Sequence, residues 1–301
     1  MNVANVRTSD EGAVRTILLH RPERLNAFDN GLVTDLADAL DAAAADPGIS
    51  VVVLSGSGRA FSTGADLKAL RAYLTRPGAG AEAGPGAGGE TRPGAGDDGG
   101  PGAGRDPAGR RDPGAGVSMF ARLLDTLADF PKPLLAAVNG VAVGFGMTIL
   151  AFADLVLVAS DARLRCPFTE LGAPPEAGSS YLFPQVVGRQ NAAWVLLSSE
   201  WITAAEAHAM GLAWKVCDPG ELLDVTRAHA AVLATRPVPA LMVVKRLLNA
   251  PPRDAIAAAV ARENAALVEM LRGGLPAGAL DGFLERAREQ TAAGPGREPP
   301  G

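Results

Sequence analysis

Lys132-Pro133-Leu134-Leu135-Ala136-Ala137-Val138-Asn139-Gly140 runs directly into Val141-Ala142-Val143-Gly144-Phe145-Gly146. Pro131 and Pro133 stop a helical pattern, because proline lacks the N–H and forces the preceding residue out of helical geometry. Leu134 to Val138 then reads as a short buried strand, and the small residues after it as a tight turn feeding a helix. Glycine permits backbone to lie against a ligand, and a helix start offers unpaired N–H groups with a partial positive charge. The design recurs upstream, where Val51 to Leu54 leads into Ala60-Phe61-Ser62-Thr63-Gly64-Ala65-Asp66-Leu67. Each turn alone reads as a plain turn, but two together can make an oxyanion hole.

Working outward, Val14 to His20 and Leu155 to Ala159 are further strand candidates, rich in Val, Leu and Ile and ended by turn formers. Helical periods lie between the strands: Leu32, Val33, Leu36, Ala37 and Leu40 within Asp29 to Asp46, and Phe120, Leu123, Leu124 and Leu127 within Ser118 to Phe130. This is the pattern of an α/β protein. From Thr203 the chain turns helical. Thr203 and Glu206 read as a T-x-x-E capping box, with Gly211 at the end of that short helix. A short strand at Trp214 to Cys217 is followed by helical stretches over Leu222 to Ala234, Pro239 to Leu248, Arg253 to Leu271 and Ala279 to Gln290. The expected organisation is a core over residues 1–202, a helical region over 203–291 and a Pro/Gly tail over 292–301.

Residues 76–116 interrupt this pattern with 15 Gly, 6 Pro, 8 Ala, 11 charged residues and one Thr. No side chain there is both apolar and larger than Ala, so the segment cannot offset its ordering entropy by burial. It is expected to be a disordered surface insertion, with a lid over the site as the other reading. Across the whole chain, 28 Lys and Arg against 33 Asp and Glu give a net charge of −5, which argues against a coat for nucleic acid or an anionic membrane. Cys166 and Cys217 cannot form a disulfide framework, and His20, His208 and His229 form no Cys/His cluster at metal spacing. No apolar run approaches a membrane span or a signal-peptide core, so a cytoplasmic protein without a structural metal is expected.

Some common motifs are excluded. Gly140 to Gly146 lacks the Lys-Ser/Thr of a P-loop and the last Gly of a dinucleotide fingerprint, and Ser55-Gly56-Ser57-Gly58 lacks the leading Gly of a nucleophile elbow. What the residues do carry is a resemblance. Arg21-Pro22-Glu23-Arg24-Leu25-Asn26-Ala27, then Val51 to Leu67, then Lys132 to Gly140 resemble the enoyl-CoA hydratase/isomerase (crotonase) superfamily in order and spacing, apart from the insertion. The resemblance continues through Ala153-Asp154, Leu171-Gly172, Leu182-Phe183-Pro184 and Thr203 to Ala207, to Gly282-Phe283-Leu284-Glu285-Arg286.

That resemblance implies a spiral of ββα units with a C-terminal helical trimerisation region, giving a homotrimer or a dimer of trimers. It implies an acyl-CoA thioester as substrate, coenzyme A being part of the substrate and no separate cofactor being needed. The enolate would be held by the backbone N–H groups of Ala65 and Phe145. Leu25, Ala27, Gly64, Asp66 and Leu67 would line the substrate and its CoA. Phe283 and Arg286 match a family Phe and Lys that reach CoA from a neighbouring subunit, Arg keeping the charge that a phosphate needs.

The acids around such a hole decide the reaction. Hydratases carry glutamates at the positions of Thr148 and Phe168, and neither Thr nor Phe can deprotonate the water that hydration needs. The acid here is Glu176, in Leu171-Gly172-Ala173-Pro174-Pro175-Glu176-Ala177-Gly178. The stretch is similar to the peroxisomal type of Δ3,Δ2-enoyl-CoA isomerase, which carries one catalytic Glu at this point. Moving a double bond from C3 to C2 takes a proton from C2 and returns one to C4, so one carboxylate serves both steps. Ring-isomerising members acting on epoxidised phenylacetyl-CoA carry Asp at the same point, and His208 to Trp214 is similar to them as well. A hydratase with relocated acids would need Glu170 beside Glu176. A non-catalytic acyl-CoA-binding module, as in chromodomain Y-like co-repressors, would gain nothing from Glu176. Glu170 and His208 read as structural or surface residues, and Asp66 as a helix cap whose backbone could line the adenine.

Overall fold

The computed structural model describes residues 5–65, 114–249 and 253–273. The valine-rich runs form a six-stranded sheet in the order β1-β2-β3-β5-β7-β10. Its strands are β1 (Val6–Glu11), β2 (Val14–Leu19), β3 (Val51–Gly56), β5 (Leu134–Val138), β7 (Leu155–Ala159) and β10 (Lys215–Cys217). β1 and β2 form an antiparallel hairpin, and every later pairing is parallel. Each residue of β3 and β5 is buried, as expected of parallel strands covered on both faces.

A second sheet, in the order β4-β6-β8-β9, is made of strands two or three residues long: β4 (Ala60–Ser62), β6 (Val141–Val143), β8 (Arg163–Arg165) and β9 (Ile202–Thr203). The pairs β3/β4, β5/β6 and β7/β8 each give their first strand to the large sheet and their second to the small one, so the chain spirals through repeated ββα units. This is the crotonase fold. Parallel pairing of β4 with β6 brings residues 60–65 beside residues 141–146.

Helix α1 (Asn30–Ala45) starts at Asp29, whose side chain accepts the Leu32 N–H at 2.9 Å, and it buries Leu32, Val33, Leu36, Ala37, Leu40 and Ala43. Helix α2 (Gly114–Ala128) buries Leu123, Leu124 and Leu127 and packs against α1. It takes in Gly114 to Gly116, which composition had assigned to the insertion. A helix whose later turns dock an apolar face can propagate into poor helix formers at its end. Residues 76–113 of the expected insertion lie outside the described residues.

Beyond Thr203 the capping box forms as expected, with Thr203 Oγ1 accepting the Glu206 N–H at 3.2 Å and the Glu206 carboxylate accepting the Thr203 N–H at 2.8 Å. It opens α5 (Ala204–Ala209), inserted after α3 (Phe145–Thr148) and α4 (Ser179–Ser198) in chain order. α6 (Leu222–Ala234) packs on β2, β3, β5 and β7, and α7 (Val238–Leu248) and α8 (Arg253–Gly273) complete the described chain. Lys245 of α7 is buried and joins Asp154 Oδ2 at 2.7 Å and the Lys132 carbonyl at 2.9 Å. Asp154 also accepts the Leu134 N–H at 2.7 Å, so one ion pair ties α7 to the entrances of β5 and β7. Among the described residues no helix is long and apolar enough to cross a membrane. The expected helix at Ala279 to Gln290 lies outside them.

Candidate active site

Asn26 organises the first wall. It is fully buried in the left-handed region at φ 54°, and its side-chain amide donates to the carbonyls of Ser57 (3.0 Å), Ala60 (2.8 Å) and Phe61 (3.2 Å). Its Oδ1 accepts the Arg21 N–H at 2.9 Å, and its carbonyl accepts Ser62 Oγ at 2.8 Å. The 21–27 segment is thereby moulded to β4. Leu25 then takes the Thr63 N–H at 3.1 Å, and the Phe28 N–H donates to the Gly64 carbonyl at 2.7 Å. In a trans peptide the C=O of one residue and the N–H of the next point opposite ways. The Ala65 N–H therefore faces away from Phe28.

On that other side stands the turn from β6 into α3. A Cβ on Gly64, at φ 78°, would lie 2.5 Å from the Val143 carbonyl and 3.3 Å from Phe145 N; one on Gly146 would lie 2.4 Å from the Ser62 carbonyl. The two segments interlock only because both residues are glycine. Phe145 is the first residue of α3, so its N–H has no acceptor within the helix, and no hydrogen bond among the described residues uses it. Its ring is locked between Phe28 and Phe120, each with centroids 4.8 Å away and nearly edge-on.

Glu176 forms the opposite side. Its carbonyl accepts the Ser179 N–H at 3.0 Å, and Ala177 and Gly178, at φ 59° and 70°, turn the chain into α4. Its Oε1 lies 3.9 Å from where a Cβ on Gly144 would stand, which sets the carboxyl beside the turn that presents Phe145. Burial pushes the Glu176 carboxyl up to about 7, and the negative charge of Glu263 adds to the rise. The Cys166 thiol, buried nearby, is pushed well above its ordinary value by desolvation and then by Glu176.

The structure thus brings together Leu25, Gly64, Ala65, Phe145 and Glu176, while the hydrogen bonds of Ala27 are with Arg21 and Arg24. Asp66, Leu67, Phe283 and Arg286 lie outside the described residues. Thr148 and Phe168 are buried, and Glu170 is committed elsewhere: it pairs with Arg165, whose Nε donates to the Ser199 carbonyl. His208 is exposed on α5 and contacts the Ala213 carbonyl through Nδ1 at 2.9 Å. One residue escaped the reading of the sequence. Glu263 of α8 accepts the Gly178 and Ser180 N–H groups at the foot of the Glu176 turn. Its signal was present, because Ile256, Val260 and Glu263 share one helical stripe, so an acid stands where the pattern calls for an apolar residue.

The profile of the enoyl-CoA hydratase/isomerase family matches residues 9–80 and 96–290. The chain belongs to this family. It is an enzyme of the crotonase superfamily, acting on acyl-CoA as a hydratase or isomerase. It is 33% identical over 240 residues to the 1,2-epoxyphenylacetyl-CoA isomerase of Escherichia coli, covering 79% of each chain. It is 32% identical over 211 residues to enoyl-CoA delta isomerase 2 of Rattus norvegicus, covering 70% of this chain and 46% of that protein. Among solved structures, an enoyl-CoA hydratase of Mycobacterium marinum superposes with a TM-score of 0.65 at 46% identity, over 82% of this chain and all (100%) of that one.

Proposed function

We propose that this family member is an acyl-CoA isomerase that converts a 3-enoyl-CoA to the trans-2-enoyl-CoA, with Glu176 as its one acid-base group. The observation that carries the reading is the Glu176 carboxyl beside the Gly144–Phe145 turn, with a proton affinity balanced near neutrality. A group that must first take and then return a proton works best at such a value. The carboxylate removes a proton from C2, the electron pair delocalises into a dienolate, and the new acid delivers that proton to C4. Charge gathers on the thioester oxygen in between. The N–H groups of Ala65 and Phe145, held by the Gly64 and Gly146 interlock, are the donors proposed for it.

Hydration is disfavoured because Thr148 and Phe168 offer no base and Glu170 is tied to Arg165. A second reading, ring isomerisation of an aromatic-derived acyl-CoA, draws on the Escherichia coli relative and would use the same carboxylate. Assembly as a homotrimer, or a dimer of trimers, belongs to the proposal. Val244, Leu247 and Leu248 of α7 are 55%, 66% and 77% exposed, an apolar face that a second copy would cover. CoA contacts from Phe283 and Arg286 of that neighbour would follow.

Assaying the purified protein with 3-enoyl-CoA thioesters of several chain lengths, an epoxidised phenylacetyl-CoA and crotonyl-CoA tests the assignment. Turnover of the 3-enoyl thioesters is expected to dominate. Faster hydration of crotonyl-CoA would overturn it, and preference for the aromatic substrate would select the second reading.

A further inference from the structure

Helix α4 opens without a cap of its own, since its N-cap is Gly178 and no neighbouring side chain takes its first N–H groups. The acceptor comes from α8. Glu263 Oε2 accepts the Gly178 N–H at 2.8 Å and Oε1 accepts the Ser180 N–H at 2.9 Å, contacts made across 85 and 83 residues of chain. Glu263 is 6% exposed, and a buried carboxylate persists only when its oxygens are engaged. Here both oxygens meet backbone N–H groups at a helix start, where the peptide dipoles also favour negative charge. Ile256 closes the same contact, its Cγ2 lying 3.2 Å from where a Gly178 Cβ would stand.

The clamped turn carries Glu176. Ala177 holds a left-handed conformation that a residue with a Cβ adopts only when its surroundings impose it. Taking Glu176 as the base, we propose that Glu263 is its positioning residue: by gripping the Gly178 and Ser180 amides it fixes where the Glu176 carboxyl stands relative to the acyl C2. Glu263 acts on the base in a second way. Among the described residues, the titratable groups that act on or respond to Glu176 are Glu263 from α8 and Cys166 after β8. The Glu263 charge adds to burial in raising the proton affinity of Glu176, which is the direction a proton-returning group requires.

The test compares Glu263→Gln and Glu263→Asp with the wild type in solvent exchange at C2 of a saturated acyl-CoA. Glu263→Gln keeps the size but faces one N–H with an NH2 group and removes the charge. It is expected to lower kcat roughly 10- to 100-fold while changing KM by less than about 3-fold, the mark of misplacement rather than lost binding. The acid limb of its pH profile should move to lower pH. Glu263→Asp keeps the charge, so it should restore the acid limb while recovering only part of kcat. Wild-type kcat with an unmoved acid limb in Glu263→Gln would overturn the proposal. So would loss of soluble protein in both variants, which would leave Glu263 a folding residue only. Glu176→Gln run alongside separates the two readings. Exchange that survives there removes the base itself, whereas exchange lost there but intact in both Glu263 variants removes only the positioning role.

Discussion

Gly144 and Glu176 face each other across the candidate site, with Glu176 Oε1 3.9 Å from the place of a Gly144 Cβ. Gly144 itself, at φ 53° and ψ −123°, is the N-cap of α3. One residue therefore both aims the Phe145 N–H and leaves room for the Glu176 carboxyl, so the proposed acid and oxyanion donor are spaced by the backbone rather than by flexible side chains.

Glu176→Gln should abolish C2 exchange and isomerisation by about 100-fold or more, since a positioned acid-base group contributes roughly 100- to 10,000-fold. Acyl-CoA binding, measured by calorimetry, should barely change. Glu170→Gln is the paired control. It should keep most of the rate but lose about 1–3 kcal/mol of stability, because Arg165 loses its charged partner.

The pH dependence follows from the raised Glu176 value. As the proposed base, Glu176 would work ionised, so kcat/KM should fall as pH drops below about 7. For stability the sign is the reverse. A folded-state value above the ordinary one means the native protein binds the proton more tightly, so stability is present at low pH and lost as pH rises from about 4.5 to about 7. Glu176→Gln removes that penalty and should be more stable than the wild type at pH 8 by about 1–3 kcal/mol in chemical denaturation. The difference should vanish below pH 4.5, where the wild-type carboxyl is protonated in both states.

Gly64→Ala would put a methyl group 2.5 Å from the Val143 carbonyl in a left-handed conformation. The 63–65 segment must withdraw from the β6–α3 turn. A loss of about 100-fold in kcat is expected, as for a misplacement of roughly 1 Å. Activity close to the wild type would show that Ala65 has no part in the reaction.

Lys245→Met leaves Asp154 without its cation and the Lys132 carbonyl without its donor, and should cost about 1–3 kcal/mol in chemical denaturation, because the pair is buried only on the Lys245 side. Activity per folded molecule should persist, because the pair lies at the entrances of β5 and β7 rather than at Glu176.

Leu247→Asp combined with Leu248→Asp should convert an assembly into monomers in sedimentation, with secondary structure retained. A wild-type protein that sediments only as monomer at micromolar concentration would already remove the proposed assembly.

Much of this was legible beforehand, for physical reasons that differ by element. β3, β5 and α1 announce themselves because burial imposes a continuous apolar run on the strands and a 3.6-residue stripe on the helix. The strands β4, β6, β8 and β9 are too short to carry a period, and in β8 the buried Leu164 is flanked by two arginines. Helix α4 hides for another reason. Pro184 and a non-helical Gly188 interrupt it, and its apolar residues do not keep to one face. At the site, the Gly64 and Phe145 turns were legible as small residues between strand and helix, and the resemblance singled out Glu176, whereas Glu263 did not emerge, because its partners are backbone amides that no side-chain motif records.

The surroundings of Cys166 reach beyond catalysis. Cys166 is fully buried, Cys217 is 8% exposed, and burial raises both thiols above their ordinary value. Thiolate is the species that alkylating probes capture, so the native protein offers such reagents almost nothing. A single cysteine introduced on the outer face of α7 would then carry a fluorophore or spin label against a silent background, and distances across the proposed assembly would become measurable without first removing the native sulfurs.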